Sequence, residues 1–143
     1  REMVLVMTMD SKLEIQAAEI AAVGGLNYCY IDMKEIFKLA ILNNSAYIIC
    51  VHNHPSGDVS PSLDDDKITK RMWNAGQILG IGLIDHIIVG ESGYYSYKEE
   101  GRMPEEAEQS NEYKDGLMEK TPVRPSLLQM QKEDKNDSVN ECR

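Results

Sequence analysis

The sequence predicts an α/β domain of the α+β kind, a mixed β-sheet with helices packed on it. Three observations predict it. Runs rich in apolar and β-branched residues stand at 3–9, 46–51 and 83–89, with the length and composition of buried strands. Two intervening stretches carry their apolar residues at helical spacing instead. Between these segments fall Asp-Ser-Lys, Gly-Gly, Pro-Ser-Gly and Glu-Ser-Gly, which turn a chain rather than extend it.

Met3–Met9 opens the domain as an apolar strand, Asp10-Ser11-Lys12 turns it, and Glu14–Val23 returns as a second strand that Gly24-Gly25 ends. Asp32 is a helix cap, and Ile36, Phe37, Ala40 and Ile41 recur behind it on one helical face. Ala46–Val51 is a β-rich run ending at His52, with the extended chain continuing to His54. Residues 55–61 hold two prolines and a glycine and form a loop. From Ser62 to about Leu79 the pattern is helical again, with Ile68, Met72 and Ala75 on one face. Leu83–Val89 is a strand, Glu91-Ser92-Gly93 a turn and Tyr94–Tyr97 a closing strand, which gives the order β-β-α-β-α-β-β.

The apolar pattern thins after Tyr97. Residues 1–98 are expected as the folded domain and 99–143 as a polar, acidic extension without enough apolar surface to offset the entropy of ordering it. In that extension Glu99–Tyr113 is expected as a solvated helix, Pro122 and Pro125 break any regular structure beyond it, and Arg124–Met130 reads as a docking motif or as plain tail. The chain opens on Arg1 without an initiator Met, which leaves a preceding segment open.

Composition bounds the function. With 42% hydrophobic and 27% charged residues the chain sits among soluble globular proteins. No apolar run is long enough to span a bilayer and no secretory signal opens the chain, so no membrane partner is expected. Cys29, Cys50 and Cys142 lack metal-type spacing and cannot all pair, which reads as reduced thiols in a cytoplasmic protein. The net charge of −9, made of −4 up to residue 98 and −5 beyond it, leaves no basic patch and argues against direct nucleic-acid binding.

The stretch that carries chemistry is His52-Asn53-His54-Pro55-Ser56-Gly57-Asp58-Val59-Ser60-Pro61-Ser62-Leu63-Asp64-Asp65. Strand alternation points His52 and His54 the same way, a natural start to a metal site. The loop turns the chain back, Ser62 caps the next helix, and Asp65 falls in the first turn, where the helix dipole favours a carboxylate. Two histidines and one carboxylate leave a fourth tetrahedral position for water, the arrangement of catalytic zinc. The ordinary alternative is that Ser62-x-x-Asp65 is only a helix start, with Asp64, Asp65 and Asp66 as a capping cluster.

His-x-His-Pro, six further residues, then Ser-x-x-Asp resembles the signature of the JAMM (MPN+, or JAB domain) metalloproteases. The longer string HNHPSGDVSPSLDD, with LGIGLIDHIIVG downstream and the segment from GGLN through KEIFKLAI, resembles the RadC-like branch in particular, over about residues 1–98. The resemblance implies a curved mixed sheet flanked by helices, of cytidine-deaminase-like JAB/MPN architecture. It also implies one zinc per chain and hydrolysis of an amide or isopeptide bond in a peptide or protein substrate. His52, His54 and Asp65 would bind zinc, and Ser62 would donate a hydrogen bond to the oxyanion. A glutamate would serve as general base, at the position that in RadC-like sequences stands eight residues before the terminal Asp of the first strand; here that is Glu2, before Asp10. Glu14 and Glu19 are the alternatives if Glu2 is only an exposed terminal acid.

Other residues have plainer roles beside the chemical ones. His86 reads as a core histidine bonded to a neighbour rather than a fourth ligand, and Cys50 as a small buried apolar side chain. Asp58 either orients a ligand or closes a turn. Tyr94, Tyr95 and Tyr97 pack on the sheet or line a groove. Two other function classes stand beside the peptidase: a noncatalytic MPN-type interaction module, and a DNA-repair-associated protein acting through partners.

Overall fold

The computed structural model describes residues 1–24 and 31–104. The expectations for Gly25–Asn27, Cys29, Cys142 and residues 105–143 lie outside these. Seven elements succeed one another as β1 (Met3–Met9), β2 (Ile15–Val23), α1 (Met33–Leu42), β3 (Tyr47–Asn53), α2 (Leu63–Leu79), β4 (Gly82–Gly90) and β5 (Gly93–Ser96). The order expected from the sequence is the order observed.

The five strands form one sheet in the spatial order β2-β1-β3-β4-β5. β3 and β4 run parallel and the other neighbours antiparallel, so the sheet is mixed. A parallel pair needs a crossover, and α2 with the loop before it supplies one. β1 and β3 are central, and their alternation reflects that place: Val4, Val6, Ile48 and Cys50 are buried together with Ile36, Phe37, Ala40, Ile68 and Met72 of the helices. Burying each large apolar side chain in that set contributes about 1.5–3 kcal/mol.

Local chemistry sets the element ends. Asp10 Oδ1 accepts the N–H groups of Lys12 and Glu14 and closes the β1–β2 turn. Asp32 caps α1 by accepting from Lys34 N at 2.9 Å. Gly80, at φ +69°, ends α2 in the left-handed conformation that glycine adopts without penalty. Two core expectations shift: Ile41 is exposed on α1, and on α2 Thr69 and Gly76 are fully buried while Ala75 is only partly so.

Ordered packing continues past Lys98. Arg102 makes two 2.9 Å contacts with the Asp66 carboxylate, lies over the Tyr97 ring and bonds Tyr95 Oη. Residues 97–101 are turns, so the solvated helix expected from Glu99 does not begin within the described residues. Among the described residues no helix is long and apolar enough to cross a membrane.

Candidate metal centre

β3 delivers two histidines to one place because its side chains alternate. Val4 pairs with His52 on one side of β3 and Ile88 on the other, so the His52 ring is enclosed and fully buried. His54 comes just past the strand end, on the same face. α2 delivers the carboxylate through a capping box: Ser62 Oγ accepts Asp65 N–H at 3.1 Å, and Asp65 Oδ2 accepts Ser62 N–H at 2.8 Å. The cap therefore also aims the Asp65 side chain, which is completely buried.

The three side chains converge. His52 Nε2 lies 3.0 Å from His54 Nε2 and 3.2 Å from Asp65 Oδ1, and His54 Nε2 lies 3.1 Å from Asp65 Oδ2. One ligand atom from each falls within 4.8 Å of the others. This group can hold a metal ion.

The atoms behind the rings decide where the imidazole hydrogens sit. His54 Nδ1 is 2.8 Å from the backbone oxygen of Asp58, which only accepts, so Nδ1 carries the hydrogen and Nε2 a lone pair. Thr69 Oγ1 donates to the backbone oxygen of Asp65 at 2.7 Å, and therefore accepts from His86 Nδ1 at 2.6 Å. His86 Nε2 is then an acceptor, and His52 Nδ1 donates to it at 2.8 Å. His52 Nε2 is left with its lone pair facing inward. Two imidazole lone pairs and a carboxylate thus meet with no hydrogen of their own to share. Asp65 Oδ1 is buried without a hydrogen-bond partner, although His52 Nε2 is close by. Such an orphaned acceptor is costly unless positive charge comes to it. The donor set fits a divalent cation that takes nitrogen and oxygen ligands.

Electrostatics agree with these assignments. Burial pushes the His86 imidazole down to about 3, so it stays neutral and able to accept. Burial pushes the Asp65 carboxyl up, but polar contacts, that with the Ser62 N–H among them, outweigh it and hold the group well below the usual carboxylate range. Behind this chain of bonds, Tyr97 stacks on His86 with centroids 5.2 Å apart and rings 6° from parallel, and its hydroxyl donates to Asp66 Oδ1 at 2.8 Å.

The loop that orients His54 is seated on β4. Ser92 Oγ donates to the Gly57 oxygen at 2.8 Å, and a Cβ on Gly90 would lie 2.6 Å from the same oxygen. Position 90 thus admits only glycine at this approach.

The other candidates occupy varied places. Glu2 is half-buried, and pairing of β1 beside β3 brings it to the histidine end of the sheet. Its backbone oxygen accepts Gly24 N–H at 3.0 Å. Glu14 lies at the opposite end of β1, by the Asp10 turn, and Glu19 pairs with Val6 on the far strand of that hairpin; neither adjoins the histidines. Cys50 is a buried free thiol pushed up to about 12 by burial and is no ligand of this group. His86 is no ligand either and stands behind His52. Asp58 both orients a ligand and closes a turn: its backbone oxygen holds His54, while its Oδ1 accepts Ser60 N–H. Tyr97 packs on the sheet; Tyr94 is exposed and bonds Glu99. Thr69 escaped the sequence reading, although it stands four residues after Asp65 and so on the same helix face.

A family model, the RadC-like JAB domain, matches residues 1–102. The chain belongs to that family. Its mixed sheet and two helices agree with the JAB/MPN fold. Relatives include the UPF0758 protein Mbar_A2303 of Methanosarcina barkeri, 43% identical over 101 residues, which are 71% of this chain and 44% of the relative. A UPF0758 protein of Thermotoga maritima is 44% identical over 103 residues, 72% of this chain and 46% of that one. A UPF0758 protein of Alkaliphilus metalliredigens is 48% identical over 95 residues, 66% and 41% respectively. This JAB domain chain thus spans somewhat less than half the length of these relatives.

Proposed function

We propose that this JAB domain is a zinc-dependent hydrolase of the metallopeptidase type, acting on an amide or isopeptide bond of a peptide or protein. The observation that carries the reading is the meeting of two imidazole lone pairs and a buried, orphaned carboxylate oxygen at the end of β3. His52, His54 and Asp65 would hold the ion. Zinc supplies Lewis acidity, lowering the pKa of water at the site from about 16 to about 7. Glu2 takes the proton of the attacking water and returns it to the leaving amine. Ser62 Oγ already accepts Asp65 N–H, which leaves its own hydrogen for the substrate's carbonyl oxygen as that atom gains charge. Thr69 and His86 keep the lone pair of His52 turned inward. A cytoplasmic setting is part of the proposal and rests on three cysteines, Cys29, Cys50 and Cys142, that cannot all pair, Cys50 being a free buried thiol.

Metal analysis and turnover test it together. Purified protein should hold about one zinc per chain, lost in His52→Ala and His54→Ala. Peptide and isopeptide substrates should be cleaved, with turnover abolished by a chelator, restored by zinc, and cut to a small residual rate in Glu2→Gln while zinc stays bound. Zinc without turnover overturns the hydrolase reading in favour of a noncatalytic binding module, and salt-sensitive DNA binding would point to a DNA-associated role instead.

A further inference from the structure

The side chain of Asn53, the last residue of β3, reaches across to the start of β1. Its Oδ1 accepts Met3 N–H at 2.7 Å, and its Nδ2 donates to the Arg1 backbone oxygen at 2.9 Å. These two groups belong to the two peptide units on either side of the Glu2 α-carbon. We propose that Asn53 is a positioning residue for Glu2: it fixes both flanking peptide planes, and with them the direction in which the Glu2 side chain leaves the backbone. The inference rests on the hydrolase reading above, in which Glu2 handles the proton.

The need for such a clamp comes from the ladder. Regular pairing between β1 and β3 ends at Val4 with His52. One residue further along this register Met3 stands opposite Asn53, and its N–H goes to the Asn53 side chain; the residue after that, His54, turns its N–H to the Val89 oxygen on β4 at 2.9 Å. No further β1–β3 pair follows Val4 with His52, so on the β3 side the peptide planes around Glu2 take their hold from the Asn53 side chain. A side-chain amide carries the same donor and acceptor as a peptide group. Asn53 therefore extends the ladder beyond the point where the backbone leaves it. On the other side, Gly24 N–H bonds the Glu2 oxygen and completes the hold.

Alternation also separates Asn53 from the chemistry. His52 and His54 face the candidate centre, so position 53 between them faces the other side of the sheet. Asn53 acts on the reaction only through the backbone of Glu2. A base displaced by about 1 Å loses on the order of a hundredfold in rate, so a loosened Glu2 lowers kcat while leaving metal and substrate binding in place.

The test compares zinc-loaded full chain with Asn53→Ala and Asn53→Asp, each also in a Glu2→Gln background. Asn53→Ala should lower kcat roughly ten- to a hundredfold with KM within about twofold and about one zinc per chain retained. Asn53→Asp, which keeps the acceptor for Met3 N–H, should fall between Ala and wild type. In the Glu2→Gln background Asn53→Ala should cost nothing more, because the group it positions is already gone. Independently of activity, hydrogen exchange should show the Met3 amide losing protection in Asn53→Ala while Val6 and Thr8 keep theirs. Unchanged turnover, an equal loss in both backgrounds, or a Met3 amide as protected as before overturns the positioning role. Absence of turnover in the wild type overturns the hydrolase reading itself, and the positioning role of Asn53 with it.

Discussion

His86 Nε2 stands 2.8 Å behind His52 Nδ1, and neither atom faces the candidate centre. That bond sets which nitrogen of His52 is bare. Replacing His86 by Phe keeps a ring against Tyr97 but removes the acceptor for His52 Nδ1–H. Zinc affinity should fall roughly ten- to a hundredfold, as for other partners that orient metal-binding histidines. Unfolding free energy without metal should fall by about 1–3 kcal/mol, the cost of an orphaned buried donor. Competition against a chelator of known affinity and denaturant unfolding give the two numbers. Unchanged affinity would show that His52 needs no partner to present Nε2.

The same residue makes the fold acid-sensitive. A free histidine takes a proton near pH 6.5, whereas buried His86 is held down at about 3. Between those values the unfolded chain binds a proton that the folded chain refuses. Stability from this source is complete above about 6.5 and is lost as pH falls toward about 3, by up to about 1.4 kcal/mol per pH unit. With chelator present, the drop in Tm from pH 7 to pH 5 should be smaller in His86→Phe than in wild type. Parallel curves would put the acid sensitivity elsewhere.

Asp65→Asn separates metal binding from folding. Asn has the same shape, and its oxygen can keep the bond from Ser62 N–H that Asp65 Oδ2 now accepts. Its amide nitrogen then replaces the orphaned Oδ1 and points a hydrogen at the lone pair of His52, 3.2 Å away. In chelator the variant should therefore be at least as stable as wild type. Zinc at a hundred times its Kd should stabilise wild type by about 2.7 kcal/mol and leave the variant unmoved. A variant that unfolds readily in chelator would mean that Asp65 is first a structural carboxylate.

Much of this site was legible because its ligands lie close together in sequence and obey local rules. Alternation put His52 and His54 on one face, and the Ser62 cap placed Asp65 in the first turn. The parts that could not be read depend on register and backbone. His86 reaches His52 only because β4 lies parallel to β3 with a shift between Ile48 and Ile49, and no pattern in either strand encodes that shift. The partner of His54 is a main-chain oxygen of Asp58, which carries no side-chain signature. The buried faces of the helices lie a position off the periodic expectation in places. Gly76 replaces Ala75 at the core because a Cβ there would strike the Ile81 backbone oxygen. Among the described residues past Glu99, turns stand where a helix was expected, and Arg102 is drawn back onto Asp66 and Tyr97.

Ser62 serves folding and, in the proposed reaction, chemistry, and the two can be measured apart. Ser62→Ala loses the cap on Asp65 N–H, which costs about 0.5–2 kcal/mol. The backbone N–H that holds the Asp65 carboxylate survives, so zinc should still bind at about one per chain. Turnover should fall about a hundredfold or more from loss of the hydroxyl donor. Ser62→Thr keeps cap and donor and should recover most of both. A Ser62→Ala protein that loses its cap energy but turns over normally would remove Ser62 from the reaction.

The loop before α2 links β4 to His54. Gly90 lies under Gly57, and a methyl group at position 90 would sit 2.6 Å from the Gly57 oxygen and 3.0 Å from Val59 Cγ1. Backbone cannot yield as a flexible side chain can, so in Gly90→Ala the loop must lift. Ser92 would lose its 2.8 Å bond to Gly57, and the Asp58 oxygen that turns His54 would move with the loop. β4 itself can accept alanine, and His52 and Asp65 are held by other elements. Gly90→Ala should therefore fold, with zinc affinity lowered by roughly tenfold or more through His54 alone. His54→Ala in the Gly90→Ala background should then cost less affinity than in wild type, and full additivity of the two changes would disprove the route through the loop.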